Sequence, residues 1–134
     1  MIWAIAAPLF ALVLMVDRPV IVSVSVPEPV RQAQAVLLRM EGVTMKRDAP
    51  ANWNVFWELP KADAQTLVEN MHFVGSIHSP ANTSLRDPRP ANFVLTMPPG
   101  AIALLRKQSQ IHFTFVPIGK LPEGGVTITS IRLE

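Results

Sequence analysis

The sequence has no cysteine and no tyrosine, and only three histidines among its 134 residues. Without cysteine there can be no disulfide, thiolate zinc site, iron–sulfur cluster or cysteine nucleophile. Three histidines are too few for any centre that needs six from one copy of the chain. Charge is also sparse: 12 Lys+Arg stand against 10 Asp+Glu, a formal net charge of +2. No basic run or stripe stands out, which excludes a general nucleic-acid binder. The sequence pI of about 9.5 follows from the missing Cys and Tyr. Little besides histidine and the terminal amine titrates between carboxylates and lysines, so a small basic excess moves the neutral point far up. Apolar residues, by contrast, are plentiful at 49%, enough for a real core. The length suits about one domain.

Residues 2–16 carry no charge, and every Asp, Glu, Lys and Arg falls from Asp17 onward. A spanning helix needs roughly 20 residues, so this run is nearer the apolar region of a secretory signal. The basic leader and the small-residue cleavage site are missing, and Pro8 lies inside it. Three readings stand: a signal or membrane anchor, an apolar linker or upstream strand of a longer parent, and a packed helix or strand. The expected division is therefore residues 1–16 as an apolar segment and 17–134 as one domain. The first reading favours an exported or membrane-anchored location over the cytoplasm.

The rest reads as all-β. Val20, Val22, Val24 and Val26 alternate with Ile21, Ser23 and Ser25, between Pro19 and Pro27, which predicts a half-buried strand. A polar connection over 28–34 follows. Further strands are predicted over 36–41, ended by Gly42, and over 53–59, where Trp53, Val55 and Trp57 share a core face. Residues 61–69 are compatible with a turn of helix. Strands follow over 71–77, 92–97, 110–116 and 126–133, the last with a break in alternation that suggests a bulge. In 110–116, Ile111, Phe113 and Phe115 point one way, and His112, Thr114 and Val116 the other. A short helix is predicted over 101–107. About seven closely spaced strands with turn signals between them predict an antiparallel, jelly-roll-like β-sandwich.

Chemistry-bearing patterns are few. No phosphate loop, dinucleotide fingerprint or nucleophile elbow is present. His72, His78 and His112 lack a metal-ligand spacing; His72 reads as a satisfied structural histidine and His112 as solvated. Asp48, Asp63 and Asp87 each lie near Lys or Arg in predicted loops, where charge clusters are mostly solvated. Trp53 and Trp57 fit core packing better than a ligand platform. Residues 78–90 form a long irregular loop, and such loops are often functional. Within it His78, Arg86, Asp87 and Arg89 are the candidate partner-contact residues. Asn82-Thr83-Ser84 matches the glycosylation pattern, which matters only in a eukaryotic secretory setting.

Four stretches carry a family resemblance. Residues 36–42, followed after a loop by Asn54-Val55-Phe56-Trp57-Glu58-Leu59-Pro60, are one. Phe73-Val74-Gly75-Ser76-Ile77 is the second, and Ile111-His112-Phe113-Thr114-Phe115-Val116-Pro117-Ile118-Gly119 the third. The closing strand from Val126 to Leu133 is the fourth. In order and spacing, residues 17–134 resemble the C-terminal domain of tyrosinase and polyphenol oxidase proteins, the type-3 copper oxidases. The sequence departs from that pattern at His78-Ser79-Pro80, where the family commonly has Phe-Gly, and the histidine-rich copper domain is not in it. The resemblance implies a non-catalytic sandwich with no cofactor of its own, copper belonging to an associated oxidase domain. It implies packing against that domain in cis or in trans and covering of the copper-site entrance. The alternative expectation is an independent exported or membrane-tethered binding module on the same architecture. A small enzyme is the third, with no constellation to support it.

Overall fold

In the computed structural model, the residues described are 12–14, 18–45, 52–78, 91–118 and 126–134. Period-two apolar patterning dictates strands, and the elements follow it: β1 Leu12–Leu14, β2 Val20–Ser25, α1 Glu28–Arg31, β3 Leu37–Met45, β4 Asn52–Trp57, β5 Phe73–His78, β6 Ala91–Thr96, α2 Pro99–Leu105, β7 Gln110–Ile118 and β8 Val126–Leu133. Two four-stranded sheets form, in the orders β1-β8-β3-β6 and β2-β7-β4-β5. Every pairing is antiparallel. Eight strands shared in this way between two sheets make a jelly roll.

Three residues of the apolar N-terminal segment belong to this architecture. Leu12–Leu14 pairs with Val126–Ile128 and supplies the edge strand of the first sheet. The sandwich therefore includes residues upstream of Asp17. Among the described residues no helix is long and apolar enough to cross a membrane.

The core lies between the sheets. Val22, Val24, Leu38, Met40, Trp53, Val55, Ile111, Phe113, Phe115 and Ile128 all meet there in one buried cluster. Ile21, on the opposite face of β2, is 52% exposed, so the alternation in 20–26 reads as predicted. The helix expected over 101–107 begins two residues earlier. Pro98 and Pro99 open it, and a proline in the first helical turn lacks only an N–H that would have no partner there. Its Ala101 and Leu105 are buried against the core.

Three local expectations need correction. The 28–34 connection contains a four-residue helix, α1, whose Val30 is buried. Residues 61–69 form turns, not helix. Finally, Gly42 does not end its strand. β3 continues to Met45 because Gly42 takes a φ of +66°, a left-handed conformation that glycine adopts without a steric penalty. The inward-facing positions change parity there, from Leu38 and Met40 to Val43 on β3 and from Val126 and Ile128 to Leu133 on β8, while β3 and β8 keep one register and the slip falls between β3 and β6. The broken alternation of 126–133 has its cause at this point.

A Cβ on Gly42 would lie 2.4 Å from Thr129 Oγ1. Gly42→Ala should therefore destabilise the domain by about 1–3 kcal/mol, through both strain and crowding. Phe113→Ala, at the centre of the core, should cost about 3–5 kcal/mol. Urea unfolding of the two variants checks both; an unchanged midpoint for Gly42→Ala would contradict the left-handed bulge.

Candidate functional site

The strand ends converge at one end of the sandwich. In the first sheet Met45 and Leu14 both pair with Val126, and Val43 pairs with Ala91. In the second, Asn52 pairs with both His78 and Ile118. The chain segments that follow Met45, His78 and Ile118 are therefore all anchored at this end. Their sequences carry much of the molecule's charge: Lys46, Arg47 and Asp48; Arg86, Asp87 and Arg89; Lys120 and Glu123. The topology thus places His78, the anchor of the 78–90 loop, beside the strand ends at Asn52 and Ile118, which sequence reading treats separately.

Of the four predicted contact residues, His78 closes β5 and is exposed. Its ring packs edge-on against Phe93 of the other sheet, with centroids 5.9 Å apart. The pair ties the two sheets together at the base of the loop. Arg86, Asp87 and Arg89 lie outside the described residues.

The other two histidines are engaged separately. His72 Nδ1–H donates to the Trp57 carbonyl at 2.8 Å, and its ring lies over the Trp57 indole at 4.3 Å. Trp57 Nε1–H in turn donates to the Met71 carbonyl. This is the satisfied structural histidine expected from sequence, and Trp53 and Trp57 are both buried in the core. His112 is half exposed, and its Nδ1–H and backbone N–H both donate to Glu58 Oε2, at 2.9 and 2.7 Å. Among the described residues no three His, Asp or Glu side chains converge as metal ligands.

Sequence alternation missed the outer face of the second sheet. Phe56, Thr114 and Val116 point away from the main core yet are buried. The chain after β4 folds back over them. Ala62 joins Phe56 and Val116 in a second cluster, with Leu59 and Phe73 against it, and Thr114 Oγ1 donates to the Leu59 carbonyl at 3.0 Å. The turn into this strap is Glu58, whose φ of +44° makes it the one non-glycine residue with positive φ among those described. The Glu58 N–H donates to the His112 carbonyl, so three hydrogen bonds to one residue hold the turn. A Leu-Pro pair after a strand was the only signal of it in the sequence. Leu67, Val68 and Met71 of the strap remain exposed.

Glu58→Ala would keep the left-handed backbone and lose the carboxylate bonds. Glu58→Gly would lose the same bonds but relieve the strain. The glycine variant should be the more stable of the two by about 1 kcal/mol, measured by urea unfolding. The reverse order would mean that the turn is not left-handed in solution.

No protein-family model and no curated protein matches the sequence. Solved structures do match. A latent aurone synthase, a polyphenol oxidase from its natural source, superimposes with a TM-score of 0.64 at 12% identity, over 91% of this chain and 25% of its own. Latent apple tyrosinase gives 0.61 at 20% identity, over 93% of this chain and 27% of its own. Recombinantly expressed latent aurone synthase gives 0.62 at 14% identity, over 91% and 25%. At these identities the likeness is one of fold: this chain is a jelly-roll sandwich similar to part of the latent polyphenol oxidases and tyrosinases, spanning about a quarter of their length.

Proposed function

We propose that this sandwich is a non-catalytic shielding domain that packs against a type-3 copper oxidase domain, in cis or in trans, and limits access to its copper site. The observation that carries this reading is the match of over nine-tenths of this chain to about a quarter of polyphenol oxidase structures, each described as latent. The order of sequence motifs supports it independently. Copper and oxidase chemistry belong to the partner domain. This chain contributes a stiff body: two sheets packed on a buried aromatic core.

The 78–90 loop is the partner contact in this proposal. His78 sets its base, and Arg86, Asp87 and Arg89 supply charge that a complementary surface would pair. Packing a rigid sandwich beside a cleft occludes it without any chemistry in the covering domain. Such occlusion lowers the rate for bulky phenols more than for small ones.

The test adds the purified chain to a copper-loaded tyrosinase-like oxidase domain that lacks its own sandwich. Diphenol oxidation should fall several-fold at micromolar chain, and a combined Arg86→Glu, Arg89→Glu variant should need about tenfold more protein for the same effect. Unchanged oxidation across that range would overturn the reading. So would stoichiometric copper binding with diphenol oxidation by the chain alone.

A further inference from the structure

β2 is an edge strand of its sheet, with β7 on one side and no strand on the other among the described residues. Edge strands in monomeric proteins are commonly blunted by charge, proline or a bulge. Within β2 there is none of these; its prolines, Pro19 and Pro27, stand just outside it. It reads Val-Ile-Val-Ser-Val-Ser, six residues without charge or bulge, and Ile21 on its outer face is the kind of large apolar side chain that an edge contact would cover.

Which backbone groups face outward follows from the ladder. Val26 N–H donates to the Ser109 carbonyl at 2.8 Å, one step beyond the Ser25–Gln110 pair. Antiparallel ladder bonds alternate along a strand, so Val20, Val22 and Val24 bond inward to β7. Ile21, Ser23 and Ser25 then present their N–H and C=O groups to the open edge, one donor and one acceptor each.

We infer that β2 pairs with β2 of a second copy of this chain, antiparallel and two-fold about Ser23, joining the two β2-β7-β4-β5 sheets into one continuous sheet. In this register Ser23 faces Ser23, and Ile21 of each copy faces Ser25 of the other. All three outward residues then exchange both hydrogen bonds. Val22 lies opposite Val24, so core faces stay with core faces. Pro19 falls opposite Pro27, and neither has an N–H to leave unpaired. A register shifted by two residues would set Pro19 against Ser25 and forfeit a bond. Beyond the prolines, Arg18 and Glu28 of opposite copies come to the same two ends with opposite charge. The isologous contact is self-complementary and closed, so it stops at a dimer.

The test uses the 134-residue chain. Light scattering after size exclusion should give twice 14.8 kDa at high micromolar concentration, with the monomer mass returning on dilution. Ser23→Lys sets like charges directly opposite on the two-fold axis and should shift the dissociation constant upward by at least tenfold. Ser23→Pro removes an outward N–H and should leave only monomer; should that variant fail to fold, Ser23→Lys decides. Ser23→Cys gives the sharpest readout, because the chain has no other cysteine. In such a pair the Cα atoms are about 5.5 Å apart, within disulfide reach of about 4.4–6.8 Å. Oxidation should give a covalent dimer, whereas Thr96→Cys on the β6 edge should not. A mass of 14.8 kDa at every concentration, a dimer indifferent to Ser23→Lys, or cross-linking through Thr96 in place of Ser23 would each overturn the inference.

Discussion

The buried face of β7 is the constraint on which the rest of the structure depends. Ile111, Phe113 and Phe115 are fully buried, and β7 is bonded on both sides, to β2 and to β4. Phe115 lies opposite Val20 and Val55, and Phe113 opposite Val22 and Trp57. Each buried aromatic removes roughly 150–250 Å² from water, so any register that exposes them is strongly disfavoured. Because side chains alternate with a period of two, that one choice sets the facing of both neighbours. The open edge of β2 and the turn at Glu58 are therefore placed by the core.

The first sheet is organised differently. Its outer face carries ion pairs of Arg132 with Glu41 and Glu134, and of Arg39 with Glu134. The hydrogen bond from Arg39, together with Arg132, holds the Glu134 carboxyl below the usual range, against partial desolvation. These exposed contacts sit beside the backbone bonds between Leu37 and Glu134. The second sheet instead buries part of its outer face under the 59–72 strap. One sheet is thus finished by solvent and charge and the other by its own chain, which leaves the two outer faces of the sandwich chemically distinct. The exposed Leu67, Val68 and Met71 belong to that strap.

A jelly roll suits a covering role because its shape is set by the sheets and not by the loops. Connections at the sheet ends can change in sequence without disturbing the body, which is why function on such folds resides in loops. The latent oxidases that share this fold are about four times as long as the matched region. This chain's own histidines serve structure: one stacks on Trp57, one anchors Glu58, and one braces Phe93.

The fold class, seven strands close to their true positions and the helix near 99–105 were legible in the sequence, because each rests on local periodicity and on proline or glycine punctuation. The structural role of His72 and the exposure of His112 followed from the same alternation. Gly42 misled that reading, since a glycine between apolar runs signals a strand end as readily as a left-handed bulge, and only Thr129 across the sheet distinguishes them. The burial of Phe56, Thr114 and Val116 was hidden for a related reason: alternation assigns a residue to a face but does not say what covers that face. The candidate loop was visible as a long proline-rich stretch. The neighbourhood of its anchor His78 to Asn52 and Ile118 was not, because those residues are distant in sequence and are brought together only by strand order. Sequence by itself determined which residues must leave water and at what period; tertiary structure decided what they pack against, since strand pairing across long chain separations has no local signal.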